Sequence, residues 1–189
     1  MPVNMKLNYY KMYPDVIDPV FSTEESACFD IHCFLNEEGR IWKGLPEPTV
    51  TVYTMDNKKQ ERKCYMRENE DGDSVLCFDF DPGERALIPT GLIFNIPSNH
   101  SVRIHARSSV SLKKGLIIPN GEGIIDSDYY HQTYVMLYNG SADKVIVNHG
   151  DRLCQGEMIE TYNYGLEQTN KLPEKRTNRS GGFGSTGVN

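Results

Sequence analysis

The sequence predicts an all-β domain of the sandwich or jelly-roll class. From position 86 onward, short apolar runs alternate with proline, glycine and asparagine, which is the usual spacing of strands and turns. No helical period persists beyond about two turns, and 189 residues suffice for one domain with a real core. Regular short strands joined by turns are typical of sandwiches and jelly rolls. The predicted strands are Ala86–Ile88, Leu92–Ile96, Val102–His105, Leu116–Ile118, Tyr134–Tyr138, Val145–Val147 and Met158–Ile159.

One short helix interrupts this pattern, predicted over Ser109–Lys114. Serines precede and open it, two lysines occupy its last turn, and Gly115 is suited to end it. The chain is therefore expected to be all-β with a single short helix.

Residues 36–81 differ in character from the strands that follow them. Thr49–Thr54 alternates like a strand, and Arg62–Arg67 and Ser74–Phe80 flank a polar turn with four acidic residues. We interpret this region as an inserted β-hairpin region on a common core. It is either decoration or an interaction surface for a protein partner.

Bulk composition excludes several classes of function. The net charge is −6 and no basic block is present, which argues against binding a nucleic acid polymer. No apolar run approaches the length of a membrane span, and the first residues lack the apolar region of a signal peptide. Five cysteines without a Cys-x-x-Cys pair favour free thiols and argue against a zinc site. We expect a cytoplasmic, reducing location.

The last eleven residues, 179–189, contain four glycines among serine, threonine and one phenylalanine. Such a segment has too little apolar area to offset the entropy lost on ordering. It is either a loose tail or an arm that closes on a phosphate-bearing ligand. A P-loop is excluded, because Gly184 stands before Ser185 where that motif needs lysine. We expect a single domain over residues 1–176 and a flexible arm over 177–189.

The segment 105–115 places Arg107 and two serines at the start of the predicted helix. Unpaired N–H groups at a helix start favour phosphate, serine hydroxyls add donors, and an arginine can bind phosphate oxygens in a bidentate way. The alternative is an ordinary helix cap beside a surface arginine.

The segment 119–129 ends an apolar strand at Asp126. A carboxylate at the end of a buried strand can be partly desolvated, which raises its basicity enough to deprotonate a water molecule. Asn120 carries one acceptor and two donors, so it could read the edge of a base. The alternative is a solvated turn.

The segment 150–155 reads as a Gly-Asp turn followed by a strand. Arg152 and Gln155 emerge around that strand, where each could contact phosphate or pair with a neighbouring loop. A close pairing of Asp151 with Arg152 is the simpler account.

Taken in order, these segments resemble the five motifs of the trimeric dUTPase (dUTP nucleotidohydrolase) family. The similar segments are Ala27–Ile31, Arg107–Ser108 with Gly115–Leu116, Gly123–Tyr129, Gly150–Gln155 and Gly181–Gly187. The similarity covers residues 27–35 and about 86–187. It implies the jelly-roll-like dUTPase fold and hydrolysis of dUTP to dUMP and pyrophosphate with Mg²⁺. It also implies a homotrimer whose sites are shared among the three subunits.

The resemblance assigns a role to each matching residue. Asp126 would orient the water that attacks the α-phosphorus, and Asp30 would bind water molecules of the magnesium shell. Asn120 and hairpin backbone groups would select uracil, and Tyr129 would pack on the deoxyribose. Arg107, Ser108 and Gln155 would hold the phosphates, while the arm would close over base and phosphates. The implied substrate-binding residues are Arg107, Ser108, Ser109, Asn120, Gly123, Ile125, Tyr129, Gln155, Arg179, Phe183, Gly184, Ser185 and Thr186.

Departures from the family pattern leave alternatives open. Ser109 and His131 stand where glycine is usual, and Arg176 competes with Arg179 for the phosphate-clamping role. A dCTP deaminase of the same fold would need a glutamate where Met136 stands, and a thioether cannot shuttle protons. A nucleotide-gated interaction protein that signals through residues 36–81 is the alternative from another class.

Overall fold

The computed structural model describes residues 5–35, 48–69, 71–178 and 181. In this part of the chain there are fifteen strands and one helix. The strands are β1 (Asn8–Lys11), β2 (Val20–Phe21), β3 (Phe29–His32), β4 (Thr49–Tyr53), β5 (Lys59–Lys63), β6 (Tyr65–Glu68), β7 (Ser74–Phe80), β8 (Arg85–Pro89), β9 (Leu92–Asn95), β10 (His100–Ala106), β11 (Leu116–Ile117), β12 (Gly123–Asp126), β13 (Tyr134–Asn139), β14 (Val145–Asn148) and β15 (Arg152–Glu160); the helix is α1 (Ser108–Lys114).

The strands form two five-stranded sheets and two smaller ones. The first large sheet has the order β12-β10-β15-β3-β2, and the second has the order β11-β13-β8-β4-β5. β14, β7 and β6 form a three-stranded sheet, and β1 pairs with β9. All pairs are antiparallel. This is the predicted all-β, jelly-roll-like architecture, and all seven strands predicted from position 86 onward are present.

One hydrophobic core lies between the sheets because apolar residues alternate along the strands. In β10, Val102 and Ile104 point inward, and in β13 the inward residues are Val135 and Leu137. Both pairs belong to the same buried cluster. Burial of apolar surface at roughly 25 cal/mol per Å² makes this cluster the main source of stability.

Part of the region predicted as an insertion belongs to the core. The predicted hairpin exists as β6 and β7, but β7 also pairs with β14 and buries Phe78 and Phe80 completely. A second hairpin, β4 with β5, was not predicted, because the sequence of β5 is almost wholly charged. β4 pairs with β8 and buries Val50 and Val52. The described strands β4 and β7 are therefore part of the sheets and not an appendage on a complete sheet.

The helix begins one residue earlier than predicted. Arg107 is the N-cap residue and makes no side-chain capping bond, so neither serine acts as the cap. Gly115 ends the helix as predicted, with a φ of +66° and its N–H donating to the Ser111 carbonyl. Glycine is required there, because a Cβ atom would also lie 2.8 Å from the Cβ of Ser141.

All five cysteines are free thiols, as the sequence predicts. Burial raises the pKa of Cys33 and Cys154, which keeps both thiols protonated. Among the described residues, no helix has the length and apolar character needed to cross a membrane.

Candidate functional site

A cavity lies where the two large sheets part. β11 pairs with β13 in one sheet, whereas β12 pairs with β10 in the other, so residues 118–122 cross between the sheets. The Gly121 N–H donates to the Ile118 carbonyl at 2.9 Å and closes the turn. Gly121 has a φ of +81°, a left-handed conformation that glycine adopts without strain. This connection therefore forms part of the cavity wall through Ile118 and Asn120.

The cavity has a volume of about 310 Å³ and mostly apolar walls. Five of the sequence-predicted residues meet there: Asn120, Gly123, Ile125, Asp126 and Tyr129. The remaining lining residues are Leu87, Ile104, Ile118, Ile124, Thr133, Tyr134, Val135 and Met136. An apolar cleft with a few polar groups is the usual form of a small-molecule site.

Asp126 is the acidic residue of this cavity. It ends β12, and its side chain is exposed in the single chain. The partial desolvation expected from the sequence is therefore not supplied by this chain alone. Within the described residues its carboxylate has no ion pair or hydrogen-bond donor, so both oxygens remain available to a ligand or a water molecule.

Tyr129 is held in place at the cavity by its own turn. Its backbone N–H donates to the Asp126 carbonyl at 3.1 Å, and its hydroxyl donates to the Gln132 carbonyl at 3.1 Å. The residue is 39% exposed, so part of its side chain is open to a ligand. Its edge packs against His131 with the ring centroids 5.6 Å apart.

Sequence reasoning missed Gln132, which links the cavity residue Tyr134 to Gly91. Its Oε1 accepts from the Gly91 N–H at 2.9 Å, and its Nε2 donates to the Tyr134 hydroxyl at 2.8 Å. The residue is buried. The only sequence signal for it is its position two residues before β13.

A second group of predicted residues surrounds Asp30, on β3. The Asp30 carboxylate is buried and binds three groups: Arg107 Nε at 3.0 Å, Arg152 Nη1 at 3.2 Å and the Ser22 hydroxyl at 3.0 Å. His32 lies close by, where burial lowers its pKa, assisted by the two arginines and opposed by Asp30. The structure thus shows Asp30 as the carboxylate that orients two guanidinium groups.

The remaining phosphate-binding candidates belong to the group around Asp30 and not to the cavity of Asp126. Ser108 and Ser109 are exposed in the first turn of α1, and the half-buried Gln155 is paired with Asp30 across β15 and β3. The considered pairing of Asp151 with Arg152 is absent, because Asp151 binds Lys114 at 3.2 Å. Arg152 is 51% exposed and keeps free donors beside Asp30.

The two groups are far apart within one chain. Asp126 is paired with Ser101 on β10, whereas Gln155 is paired with His105 on the same strand. Four residues at about 3.3 Å each, together with two strand spacings of about 4.8 Å, place the two Cα atoms roughly 15 Å apart. One phosphate group cannot contact both side chains of the same chain.

Five further predicted residues, Arg179, Phe183, Gly184, Ser185 and Thr186, lie outside the described residues. Arg176, the rival of Arg179, is exposed in a segment that follows β15 without helix or strand. In that segment Tyr162, Tyr164 and Leu166 are each at least 80% exposed.

No protein-only metal site is found among the described residues, where no three His, Cys, Asp or Glu side chains cluster suitably. The Asp30 carboxylate is already bound by two arginines and a serine. These residues fit a cation that arrives with an anionic ligand better than one held by the protein, which agrees with the preference of Mg²⁺ for phosphate oxygens and water.

Comparison with known proteins identifies the family. The dUTPase family model matches residues 76–187. The deoxyuridine 5'-triphosphate nucleotidohydrolase of Methylocella silvestris is 39% identical over 108 residues, which cover 57% of this chain and 67% of the relative. The enzyme of the same name from Leptospira interrogans is 29% identical over 183 residues and covers 97% of this chain and 99% of the relative.

Solved structures show the same fold. The dUTPase of Staphylococcus bacteriophage 80alpha, solved with dUPNHPP, superposes with a TM-score of 0.68 at 17% identity, covering 97% of this chain and 99% of that one. The Streptococcus mutans dUTPase superposes with a TM-score of 0.55 at 19% identity, covering 84% and 98%. The family match spans more than half of the sequence and includes four of its five motifs. The chain therefore belongs to the dUTPase family.

Proposed function

We propose that this dUTPase-family enzyme hydrolyses dUTP to dUMP and pyrophosphate with Asp126 as its general base. The carboxylate would orient a water molecule and accept its proton as the oxygen attacks the α-phosphorus. The bond from that phosphorus to the bridging oxygen breaks, and pyrophosphate leaves. The observation that carries this proposal is the cavity in which Asp126 lies beside Asn120 and Tyr129.

The cavity would take the nucleoside half of dUTP. Ile118 and Ile125 supply apolar surface for a pyrimidine ring, and Asn120 can pair with its polar edge. The exposed face of Tyr129 would pack on the deoxyribose and leave no room for a 2′-hydroxyl. Backbone groups of the hairpin at Gly123 would complete the selection of uracil.

Arg107, Ser108, Ser109 and Gln155 would hold the triphosphate. Asp30 fixes the direction of the Arg107 guanidinium, so its remaining N–H groups are oriented before the substrate arrives. Mg²⁺ carried by the phosphates would neutralise the charge that develops on the phosphoryl oxygens. Asp30 would reach only water molecules of that ion, because its own oxygens are occupied.

We further propose that the catalytic sites form between copies in a homotrimer. The separation of Asp126 from Gln155 supports this, since a second copy could bring phosphate-binding residues closer to the cavity. Closing the cavity with another subunit would also desolvate Asp126, which is exposed in the single chain.

The C-terminal arm would complete the site. Phe183 is proposed to cover the uracil ring, and Ser185, Thr186 and the Gly184 N–H to bind the phosphates. Arg179 would clamp the phosphates, with Arg176 as its competitor. Closure of such an arm would exclude water that competes with the attacking molecule.

Deamination of dCTP is disfavoured by the same cavity. Met136 lies in its wall, at the position where a deaminase of this fold would need a glutamate. Among the described residues that line the cavity, Asp126 is the only one with an acidic side chain.

The decisive experiment substitutes Asp126→Asn and measures pyrophosphate release from dUTP, dCTP, dTTP and UTP. The wild type is expected to act on dUTP alone, and the variant to lose at least about a hundredfold in kcat while still binding dUMP. Asp128→Asn is the matched control, because this carboxylate is two residues away and outside the cavity lining. A variant at position 126 with near-normal kcat would contradict the proposed mechanism.

A further inference from the structure

Thr133 carries a buried hydroxyl without a partner. The residue is 2% exposed, and its Oγ1 has no hydrogen-bond partner within the described part of the chain. A buried polar atom in this state costs stability, so most such atoms in proteins are paired. A buried hydroxyl that lacks a partner therefore needs an explanation other than the stability of the fold.

The backbone around Thr133 is fixed from both sides. Its N–H donates to the Leu92 carbonyl at 2.7 Å, and its carbonyl accepts from the Thr90 hydroxyl at 2.7 Å and the Thr90 N–H at 3.3 Å. The side chain therefore has one freedom, rotation about χ1. A step of about 120° can move Oγ1 into the position that the methyl group occupies.

Thr133 also belongs to the wall of the cavity that contains Asn120 and Asp126. Three other buried polar atoms lack partners among the described residues: His32 Nδ1, Ser101 Oγ and Arg103 Nε. None of those three residues lines this cavity. Of these four residues, only Thr133 combines an unpaired buried polar atom with a position in the wall of the candidate nucleoside site.

We propose that Thr133 is a specificity residue whose hydroxyl forms a hydrogen bond with the nucleoside of the substrate. This inference rests on the proposed function and deepens it. The partner is a polar atom of the base or sugar rather than a phosphate, because no arginine, lysine or histidine is among the described residues that line the cavity. In the empty cavity the hydroxyl is buried and unpaired, and rotation about χ1 would turn it toward the nucleoside that enters.

The test is Thr133→Val, which keeps the shape of the side chain and replaces the hydroxyl with a methyl group. We expect its KM for dUTP to rise about fivefold at unchanged kcat, because a neutral hydrogen bond to bound substrate is lost. Its dissociation constant for dUMP should rise by the same factor. The melting temperature of the free protein should increase by about 3 °C, because an unsatisfied buried hydroxyl has been removed.

Thr133→Ser is the matched control, since it retains the hydroxyl and should keep the KM of the wild type. If Thr133→Val folds poorly, Thr133→Ala compared with Thr133→Ser isolates the hydroxyl in a second pair. Unchanged dUMP affinity in both hydroxyl-free variants would overturn the inference. A lowered melting temperature with unchanged affinity would likewise show that the hydroxyl is structural.

This experiment tests the proposed function and the role of Thr133 separately. A wild type that neither binds dUMP nor hydrolyses dUTP contradicts the proposed function itself. A fully active wild type with unaffected Thr133 variants contradicts only the role of Thr133.

Discussion

At the scale of single residues, Asp30 shows how one buried carboxylate organises two cations from distant parts of the chain. Arg107 follows β10 and Arg152 begins β15, and each directs one N–H group at Asp30. The remaining guanidinium donors are thereby held in place for another anion. The resemblance placed Asp30 in the metal shell, but its role as an anchor for Arg107 and Arg152 could not be read from sequence spacing.

Asp30→Asn should both destabilise the protein and weaken substrate binding. The free energy of unfolding is expected to fall by about 3 kcal/mol, because two guanidinium groups lose their buried counter-charge. The KM for dUTP should rise, since Arg107 is no longer oriented. Chemical denaturation and initial-rate kinetics measure the two effects.

The matched control for that substitution is Asp18→Asn. Asp18 also binds two side chains, Tyr9 and Lys11, but it lies at the surface. Its loss should leave both the unfolding midpoint and KM unchanged. Equal effects at positions 18 and 30 would contradict the anchoring role of Asp30.

At the scale of elements, the described strands within residues 36–81 join two different sheets. β4 and β5 belong to the sheet that contains β8, whereas β6 and β7 belong to the sheet that contains β14. β4 adds to the sheet through β8, with Thr51 paired to Leu87 and Leu87 paired to Met136. Arg62 on β5 fastens this extension by donating to the buried Glu84 carboxylate at 2.9 Å. Leu87 and Met136 also line the cavity that contains Asp126. β4 is therefore joined to a wall of this cavity through the paired residues Thr51, Leu87 and Met136.

Deletion of residues 36–81 should prevent folding, because it removes the buried side chains of β4 and β7. Loss of a single buried Phe such as Phe80 already costs about 3–5 kcal/mol. The control is to shorten the turn between β4 and β5, residues 54–58, which should leave stability and dUTP hydrolysis intact. A soluble deletion variant with cooperative unfolding would show that this region is decoration after all.

At the scale of the whole molecule, the separation of the two groups of site residues is the main feature. Asp126 lies at one end of β10 and Arg107 follows the other end. Each group is well ordered by its own contacts, yet neither is a complete site. In the proposed homotrimer, a second subunit would supply the missing half to every site.

Mixed trimers test this arrangement directly. Asp126→Asn and Arg107→Gln should each be inactive alone, but trimers that contain both variants should recover about one third of the wild-type kcat, because one of their three interfaces pairs two intact halves. Co-expression with two affinity tags isolates such trimers for the assay. Recovery of no activity would place the whole site within one chain.

The all-β class, the short helix and five of the residues that line the cavity of Asp126 are predictable from the sequence alone. These features follow from local patterns: period-two alternation, turn residues, and motifs contiguous along the chain, such as 119–129. The other features of the fold and of the site are visible only in the tertiary structure. The burial of β4 and β7, the anchoring of two arginines by Asp30, and the unpaired Thr133 hydroxyl depend on contacts between residues far apart in sequence. The same holds for the distance between Asp126 and Gln155. Strand order and register set these contacts, and no local pattern encodes which strands become neighbours.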